Sequence, residues 1–426
     1  MKKATILFIV SMLWSGIAFA QLKPRPDAFP SEPENLEKRG ITMATTVDEM
    51  ASWDRYPTYD TYLAMMSRWA ETFPTLCHVD TIGTSIQGRL ILSIYIAPLR
   101  PSGTSPETGE ELEERPEFFY SSTIHGDEVT GYVMMLRLID TLLTSYGISP
   151  ELTDLMNRTR ISINPLANPD GTYHNSDTTI RGAQRENADG IDLNRNFPNP
   201  FFPAKTTIPQ ENQAMIDYFT EHRFRLSANL HGGAEVMNYP WDSFTSRDNP
   251  HPEAEWWIDV CKRFVDTSRT YNNSHFRDTY SCGYTAGGDW YVISGGRQDY
   301  VNAVHNCLEM TMEISTQKTL SSDHLPEYWH FLAPSFINYI AEIHNLPESA
   351  GITPARDHEL TLGPNPTTGI ITVSGAEGAT IELRDLQGRT ILTQAASQSN
   401  TLDISHLNSG IYFLRIDGKT AKIMKL

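Results

Sequence analysis

The run His125-Gly126-Asp127-Glu128 sets an imidazole and a carboxylate three residues apart, after the β-rich stretch Phe118–Ile124 and before a helical pattern. Zinc prefers these donor types, and a catalytic zinc keeps three protein ligands and one open position. Where a strand turns into a helix, residues i and i+3 can converge on one ion. His-x-x-Glu alone is a weak signal. With 13 His in the chain, one match arises by chance, and a second one, His324 to Glu327, has Pro326 inside it and no strand before it. His231 offers a third ligand. It ends the apolar run Leu226–Leu230 and enters Gly232-Gly233, where bare backbone allows close approach of an ion or substrate. The alternative is a core histidine bonded to backbone.

Other residue types point to an anionic substrate. Arg185 and Arg195 lie on either side of a Gly/Asp-rich turn in QRENADGIDLNRNFPNP, and Asn194 adds an amide donor. The planar fork of Arg matches a carboxylate bidentately. The competing reading pairs Arg185, Asp189, Asp192 and Arg195 with one another at the surface, which is worth little. Glu313 sits in the alternating run Asn306–Ile314. It reads either as part of an exposed strand face or as a general base for a water near the metal.

The elements that must position these residues follow from periodicity. Ile91–Ile96, Phe118–Ile124, Arg160–Asn164 and Leu226–Leu230 read as strands, and Val129–Leu143 as a helix ending at Gly147. In Asn306–Ile314, residues Leu308, Met310, Met312 and Ile314 face one way and Glu309, Thr311 and Glu313 the other. Alternating strands and helices predict an α/β fold with a mixed, mostly parallel central sheet flanked by helices. Sites in such sheets collect at the carboxyl ends of strands. Residues 103–114 are polar and acidic and read as a surface loop; 347–357 read as a linker. Residues 358–426 hold only strand-like runs and turn signals such as Pro364-Asn365-Pro366, which predicts a small all-β sandwich.

The chain has 426 residues, enough for two or three domains, and a net charge of −18, which makes nucleic acid and anionic membrane poor partners and cationic peptides better ones. Lys2 and Lys3, an apolar stretch and Ala18-Phe19-Ala20 form a secretory signal peptide over residues 1–20. No transmembrane segment is expected in the mature chain. Residues 21–47, with Pro24, Pro26, Pro30 and Pro33 among charges, read as an extended arm or short propeptide, and Lys38-Arg39 within it is a processing candidate. An exported chain with four Cys (Cys77, Cys261, Cys282 and Cys307) is expected to form two disulfides, the alternative being buried free thiols.

Taken together, the segments over residues 48–346 resemble the zinc metallocarboxypeptidases of the carboxypeptidase A/B kind. YPTYDTYLAMM and IGTSIQGR are similar to the opening of that domain. HGDE, NPDG, RENADGIDLNRNFP, SANLHGG, NYPWD, GGDWY, GGRQD and EMTMEI then follow in the family's order, with wording closest to the regulatory N/E branch. The resemblance implies one zinc held by His125, Glu128 and His231, with Glu313 as general base and Arg185 polarising the scissile carbonyl. It implies that Asn194 and Arg195 hold the substrate's C-terminal carboxylate and that Tyr291 closes over it. Asp242 and Gln298 match positions that line a pocket for a basic side chain, so the expected activity is hydrolysis of the C-terminal peptide bond, releasing Lys or Arg. Arg297 departs from the branch, and an inward guanidinium there would oppose Asp242.

Residues 358–426 resemble the C-terminal sorting domain of the type IX secretion system, through GPNPTTGIITV, IELRDLQGRTIL, LDISHLNSGIYFLRI and KIMKL. This implies export through the periplasm, engagement of that machinery, and release or attachment at the cell surface. The competing readings are a cell-wall peptide carboxypeptidase or an N-acyl amino acid deacylase on the same scaffold, and a surface protein that binds peptide ends without cleaving them.

Overall fold

The computed structural model describes residues 40–98, 115–202 and 207–347, together with 361–363, 367–374, 380–384, 389–395, 399–408, 410–416 and 419–425. The signal peptide, residues 21–39 of the arm, the acidic loop 103–114 and most of the 347–357 linker lie outside them. The chain divides into two compact units, Met1–Ala350 and Gly351–Leu426.

The first unit opens with two short strands, β1 (Met43–Ala44) and β2 (Tyr56–Pro57), which pair in parallel. Eight further strands build one sheet: β3 (Cys77–Thr84), β4 (Leu90–Ile96), β5 (Glu117–Ser122), β6 (Arg160–Asn164), β7 (Phe224–His231), β8 (Ala234–Tyr239), β9 (Tyr284–Ala286) and β10 (Leu308–Ser315). They lie in the order β3-β4-β6-β5-β7-β10-β8-β9. The inner pairs β6·β5, β5·β7 and β7·β10 are parallel, and antiparallel pairing enters on both sides, at β4·β6 and β10·β8. This is the mixed sheet that the alternation predicted.

The covering helices are α1 (Tyr59–Thr72), α2 (Thr130–Ser145), α3 (Pro150–Arg158), α4 (Gln210–Glu221), α5 (Ala254–Tyr271), α6 (Arg297–His305) and α7 (Leu325–Ala341). α2 is buried along most of its length, from Thr130 to Leu143. Its start touches β5, since a Cβ on Gly131 would fall 2.4 Å from Ser122 Oγ. Gly147, at φ +75°, turns the chain after the helix in the left-handed region, where glycine carries no Cβ penalty.

Strand β10 corrects a reading of the alternation. All eight of its residues are buried. The strand lies between β7 and β8, so Glu309, Thr311 and Glu313 face a covered layer of polar side chains rather than solvent. Periodicity reports which residues share a face, but not what covers that face.

The expected disulfides are absent: all four cysteines are free thiols, with Cys77, Cys261 and Cys307 buried and Cys282 exposed. Each buried thiol packs into its own niche. Cys261 Sγ lies 3.7 Å from Met310 Sδ, and Cys307 Sγ lies 3.3 Å from Ser227 Oγ. Burial pushes the Cys77 thiol up to about 11 and raises Cys261 and Cys307 as well, so the reactive thiolate is suppressed at all three. Titration with a thiol reagent is therefore expected to count one fast thiol in the native protein and four after denaturation. A reductant is expected to leave the melting temperature unchanged; fewer than four thiols in the unreduced, denatured protein would show a disulfide.

The end of the 21–47 segment belongs to the first unit. Ala44 is fully buried, Ile41, Met43 and Val47 pack on the core, and Ser322 N–H donates to Gly40 O at 3.0 Å. In the second unit the named strands of the described residues pair antiparallel. Strands β11 (Thr361–Gly363), β12 (Ile370–Ser374), β13 (Thr380–Arg384), β14 (Thr390–Ala395), β15 (Ser399–Asp403), β16 (Gly410–Ile416) and β17 (Lys419–Lys425) form sheets β11-β12-β15 and β14-β13-β16-β17, which share one apolar core that includes Ile371, Leu383, Leu402 and Leu414. No helix among the described residues is long and apolar enough to cross a membrane.

Candidate active site

Three candidate ligands meet at the carboxyl ends of the parallel strands. His125 and Glu128 lie in the turn between β5 and α2, and His231 is the last residue of β7. Their ligand atoms lie within 4.8 Å of one another and all three residues are buried. Both imidazoles point Nδ1 inward, the two Nδ1 atoms being 3.1 Å apart. Glu128 Oε1 stands 3.1 Å from His125 Nδ1, and Glu128 Oε2 stands 2.8 Å from His231 Nδ1. Two ring nitrogens on one tetrahedral zinc stand about 3.3 Å apart, for Zn–N bonds of about 2.0–2.1 Å. The donor set and its spacing therefore fit zinc. The second His-x-x-Glu match, at His324, belongs to no such group among the described residues.

The outward ring nitrogens meet partners that sequence reasoning missed. His125 Nε2 lies 3.1 Å from Asp192 Oδ1, and His231 Nε2 lies 2.8 Å from the side-chain amide of Asn229. An imidazole that ligates through Nδ1 must donate its Nε2 proton elsewhere, which fixes its tautomer and ring orientation. Asp192 Oδ1 accepts that proton from His125. The Asn229 amide takes the same role once its oxygen, buried without a partner as placed, is turned toward His231. A signal for Asn229 existed in the sequence: a polar residue inside an apolar strand, two before His231 and so on the same face.

Asp192 also receives Arg185, whose Nε and Nη2 stand 2.9 and 2.8 Å from Oδ2. The pairing of Arg185 with Asp192 thus exists, but it is tied into the ligand cluster rather than scattered on the surface. Burial opposes ionisation of Asp192, yet His125 and then Arg185 hold its carboxyl well below the usual carboxylate range. Asp192→Asn is expected to weaken zinc binding about 10- to 100-fold, the usual cost of losing such a partner. Chelator competition on the purified variant checks this; unchanged affinity would show the contact to be incidental.

Glu313 lies directly opposite His231 in the parallel register of β10 and β7, and is buried. Residues so paired point to one side of the sheet, which brings this carboxylate to the ligand cluster. Asn194 joins the cluster to a second group of residues. Its Nδ2 is 3.5 Å from His231 Nε2, and its Oδ1 accepts the Arg297 backbone N–H at 2.9 Å, at the first residue of α6. Arg195 follows, with Nη1 donating to Asn194 O at 2.9 Å.

Asp242 and Gln298 come together in a closed layer. Gln298 Nε2 donates to Asp242 Oδ1 at 3.1 Å, while Gln298 Oε1 accepts from Thr311 N–H at 2.6 Å. Asp299 shapes the same loop by accepting the backbone N–H groups of Asp242 and Ser243 at 2.7 and 2.9 Å. A Cβ on Gly287 would fall 1.9 Å from Asp242 Oδ1, so only glycine fits there. Gly287 opens the helical turn Gly287–Trp290 that ends at Tyr291, and Ile293 N–H donates to Asp242 O at 3.0 Å. Tyr291 is thereby tethered beside the Asp242 loop. Burial, then the charge of Asp299, raises the Asp242 carboxyl well above its ordinary value, and the charge of Arg195 opposes that.

Arg297 is fully buried and pairs with Glu309. Its Nε and Nη2 donate to Glu309 Oε1 and Oε2 at 2.8 and 3.1 Å, and its guanidinium lies 5.7 and 5.9 Å from the rings of Phe119 and Phe219. Glu309 offsets the charge that would otherwise oppose a basic substrate side chain.

Comparison with known proteins agrees with this geometry. A family model described as zinc carboxypeptidase matches residues 62–344, and one described as a secretion system C-terminal sorting domain matches residues 362–426. Carboxypeptidase M of Mus musculus is 32% identical over 325 residues, covering 72% of this chain and 70% of that protein. Carboxypeptidase D of Anas platyrhynchos is 33% identical over 290 residues, covering 66% of this chain; the match spans only 20% of that longer protein. Among solved structures, thrombin activatable fibrinolysis inhibitor superposes with a TM-score of 0.61 at 16% identity, covering 74% of this chain and 81% of that one. Carboxypeptidase A from Helicoverpa armigera gives 0.56 at 20% identity, covering 73% and 77%. At these identities the two structures speak for the fold.

Proposed function

The chain belongs to the zinc carboxypeptidase family and is a metallocarboxypeptidase hydrolase carrying a secretion sorting domain, and on that premise we propose that it releases C-terminal Lys or Arg from peptides. One observation carries the hydrolase reading: the inward Nδ1 atoms of His125 and His231, with Glu128 between them and Glu313 opposite His231 in the strand register; the buried Asp242–Gln298 pair supports the preference for a basic end.

Zinc held by His125, Glu128 and His231 supplies a Lewis acid that makes water more acidic and polarises a carbonyl oxygen. The protein's own residues do the rest. The Glu313 carboxylate takes the proton of the attacking water and passes it to the leaving amine. The Arg185 guanidinium donates to the oxygen that gains negative charge in the transition state. Asn194 Nδ2 and the Arg195 fork hold the substrate's α-carboxylate, which only a chain end offers, so the enzyme is an exopeptidase. Tyr291 covers the bound end and excludes water. Asp242 and Gln298 receive the basic side chain, and the net charge of −18 favours arrival of cationic peptides.

The sorting domain implies export and a cell-surface or secreted location. We assign the catalytic domain to residues 48–346, with residues 21–47 as an N-terminal arm or short propeptide whose end packs on that domain, and the tail, 358–426, as the segment removed at the type IX machinery. The test is hydrolysis of matched peptides ending in Arg, Lys, Phe and Glu, with and without 1,10-phenanthroline. Chelator-sensitive release of Arg and Lys is expected. Release of Phe in preference to Arg would overturn the pocket assignment. No release from any peptide would favour a deacylase, a cell-wall peptidase or a non-catalytic binder.

A further inference from the structure

Outside the catalytic set, a cationic side chain reaches the ligand cluster. Lys318 lies in the loop that leaves β10, five residues after Glu313. Its Nζ stands 2.8 Å from Asp127 Oδ2 and 3.5 Å from Glu128 Oε1. Asp127 is buried, and its other oxygen, Oδ1, has no hydrogen-bond partner among the described residues. Lys318 therefore supplies balancing positive charge to Asp127. The same loop is fastened to the ligand turn. Val129 N–H donates to Lys318 O at 2.9 Å, and Thr319 Oγ1 donates to Asp127 O at 3.0 Å. Gly232, next to His231, lies within contact range of the same loop: a Cβ there would stand 3.5 Å from Lys318 Cα.

We propose that Lys318 is a positioning residue of the metal centre, holding Asp127 away from the ligand shell and setting the charge around Glu128, so that zinc affinity is given up in favour of turnover. The proposal rests on His125, Glu128 and His231 being the zinc ligands. An ammonium group beside Glu128 repels a divalent ion in a buried site where charges are weakly screened. The same positive potential favours the oxyanion that develops during hydrolysis. Without the ammonium, Asp127 and Glu128 become two adjacent carboxylates at the centre. The ion is then held more tightly and is a weaker electrophile.

The experiment measures the zinc dissociation constant by chelator competition, and kcat on a C-terminal Arg peptide, for the full chain and its variants. Lys318→Met is expected to bind zinc about tenfold more tightly while kcat falls about tenfold, and Lys318→Arg to restore both. Asp127→Asn keeps the shape but frees the ammonium for Glu128, so zinc should bind about tenfold more weakly. A merely structural brace would move affinity and kcat downward together in Lys318→Met, and that result, or no change in either, overturns the proposal. Should Lys318→Met fail to fold, Asp127→Asn decides: affinity equal to or tighter than the parent's overturns it. Failure of the ligand assignment reads out separately, as unchanged zinc affinity in His231→Ala.

Discussion

Glu313→Gln is expected to keep zinc at one per chain and to lose about 10²- to 10⁴-fold in kcat, the range that positioned general bases contribute. The amide has nearly the shape of the carboxylate but cannot take a proton from water. Glu313 sits in a fully buried strand between β7 and β8, so an isosteric change leaves the sheet intact. The readouts are metal content and turnover on the same preparation. Near-normal kcat would remove Glu313 from the mechanism, whereas lost zinc would show that it acts as a ligand instead.

Asp242→Asn is expected to cut kcat/KM for a C-terminal Arg peptide by about 10²-fold or more, with little change for a peptide ending in Phe. Removing one partner of a buried, hydrogen-bonded charge pair costs about 2–5 kcal/mol, and each 1.4 kcal/mol is about tenfold. The pH dependence has a definite sign. Burial, then Asp299, raises the Asp242 carboxyl, with Glu309 adding to that and Arg195 and Asn238 opposing it. Free Asp242 therefore ionises only above the usual carboxylate range, and a cationic side chain favours its ionised form. KM for Arg peptides should fall as pH rises through that ionisation, while KM for Phe peptides stays level. For folding the sign reverses: a carboxyl raised in the native state binds its proton more tightly there, so its contribution to stability declines as pH rises. Equal losses on Arg and Phe peptides would mean that Asp242 shapes the loop rather than reading the side chain.

Much of the architecture was legible because it depends on local periodicity. Arg160–Asn164 is a strand with the bounds read from the sequence, and the helix read at Val129–Leu143 spans Thr130–Ser145. The alternation in Asn306–Ile314 sorted its residues onto two faces. It could not say that both faces are covered, because that depends on which strands flank β10. The cysteines failed for a related reason: an even count in an exported chain describes a compartment, whereas pairing depends on whether two thiols meet, and three of these four are packed separately in the core.

The residue types and their order, through their resemblance to known families, pointed to the family, the zinc-binding chemistry, the exopeptidase reading and the sorting tail, since each is carried by short motifs in a fixed order along the chain. Only the tertiary structure decided what meets across long separations. It joined His125 to Asp192 and Asn194 to Arg297, turned Arg297 onto Glu309, and brought Lys318 to Asp127. Those contacts are set by strand register and by the cost of burying a charge without its partner. Neither can be read from one segment, because the partner lies on another element of the fold.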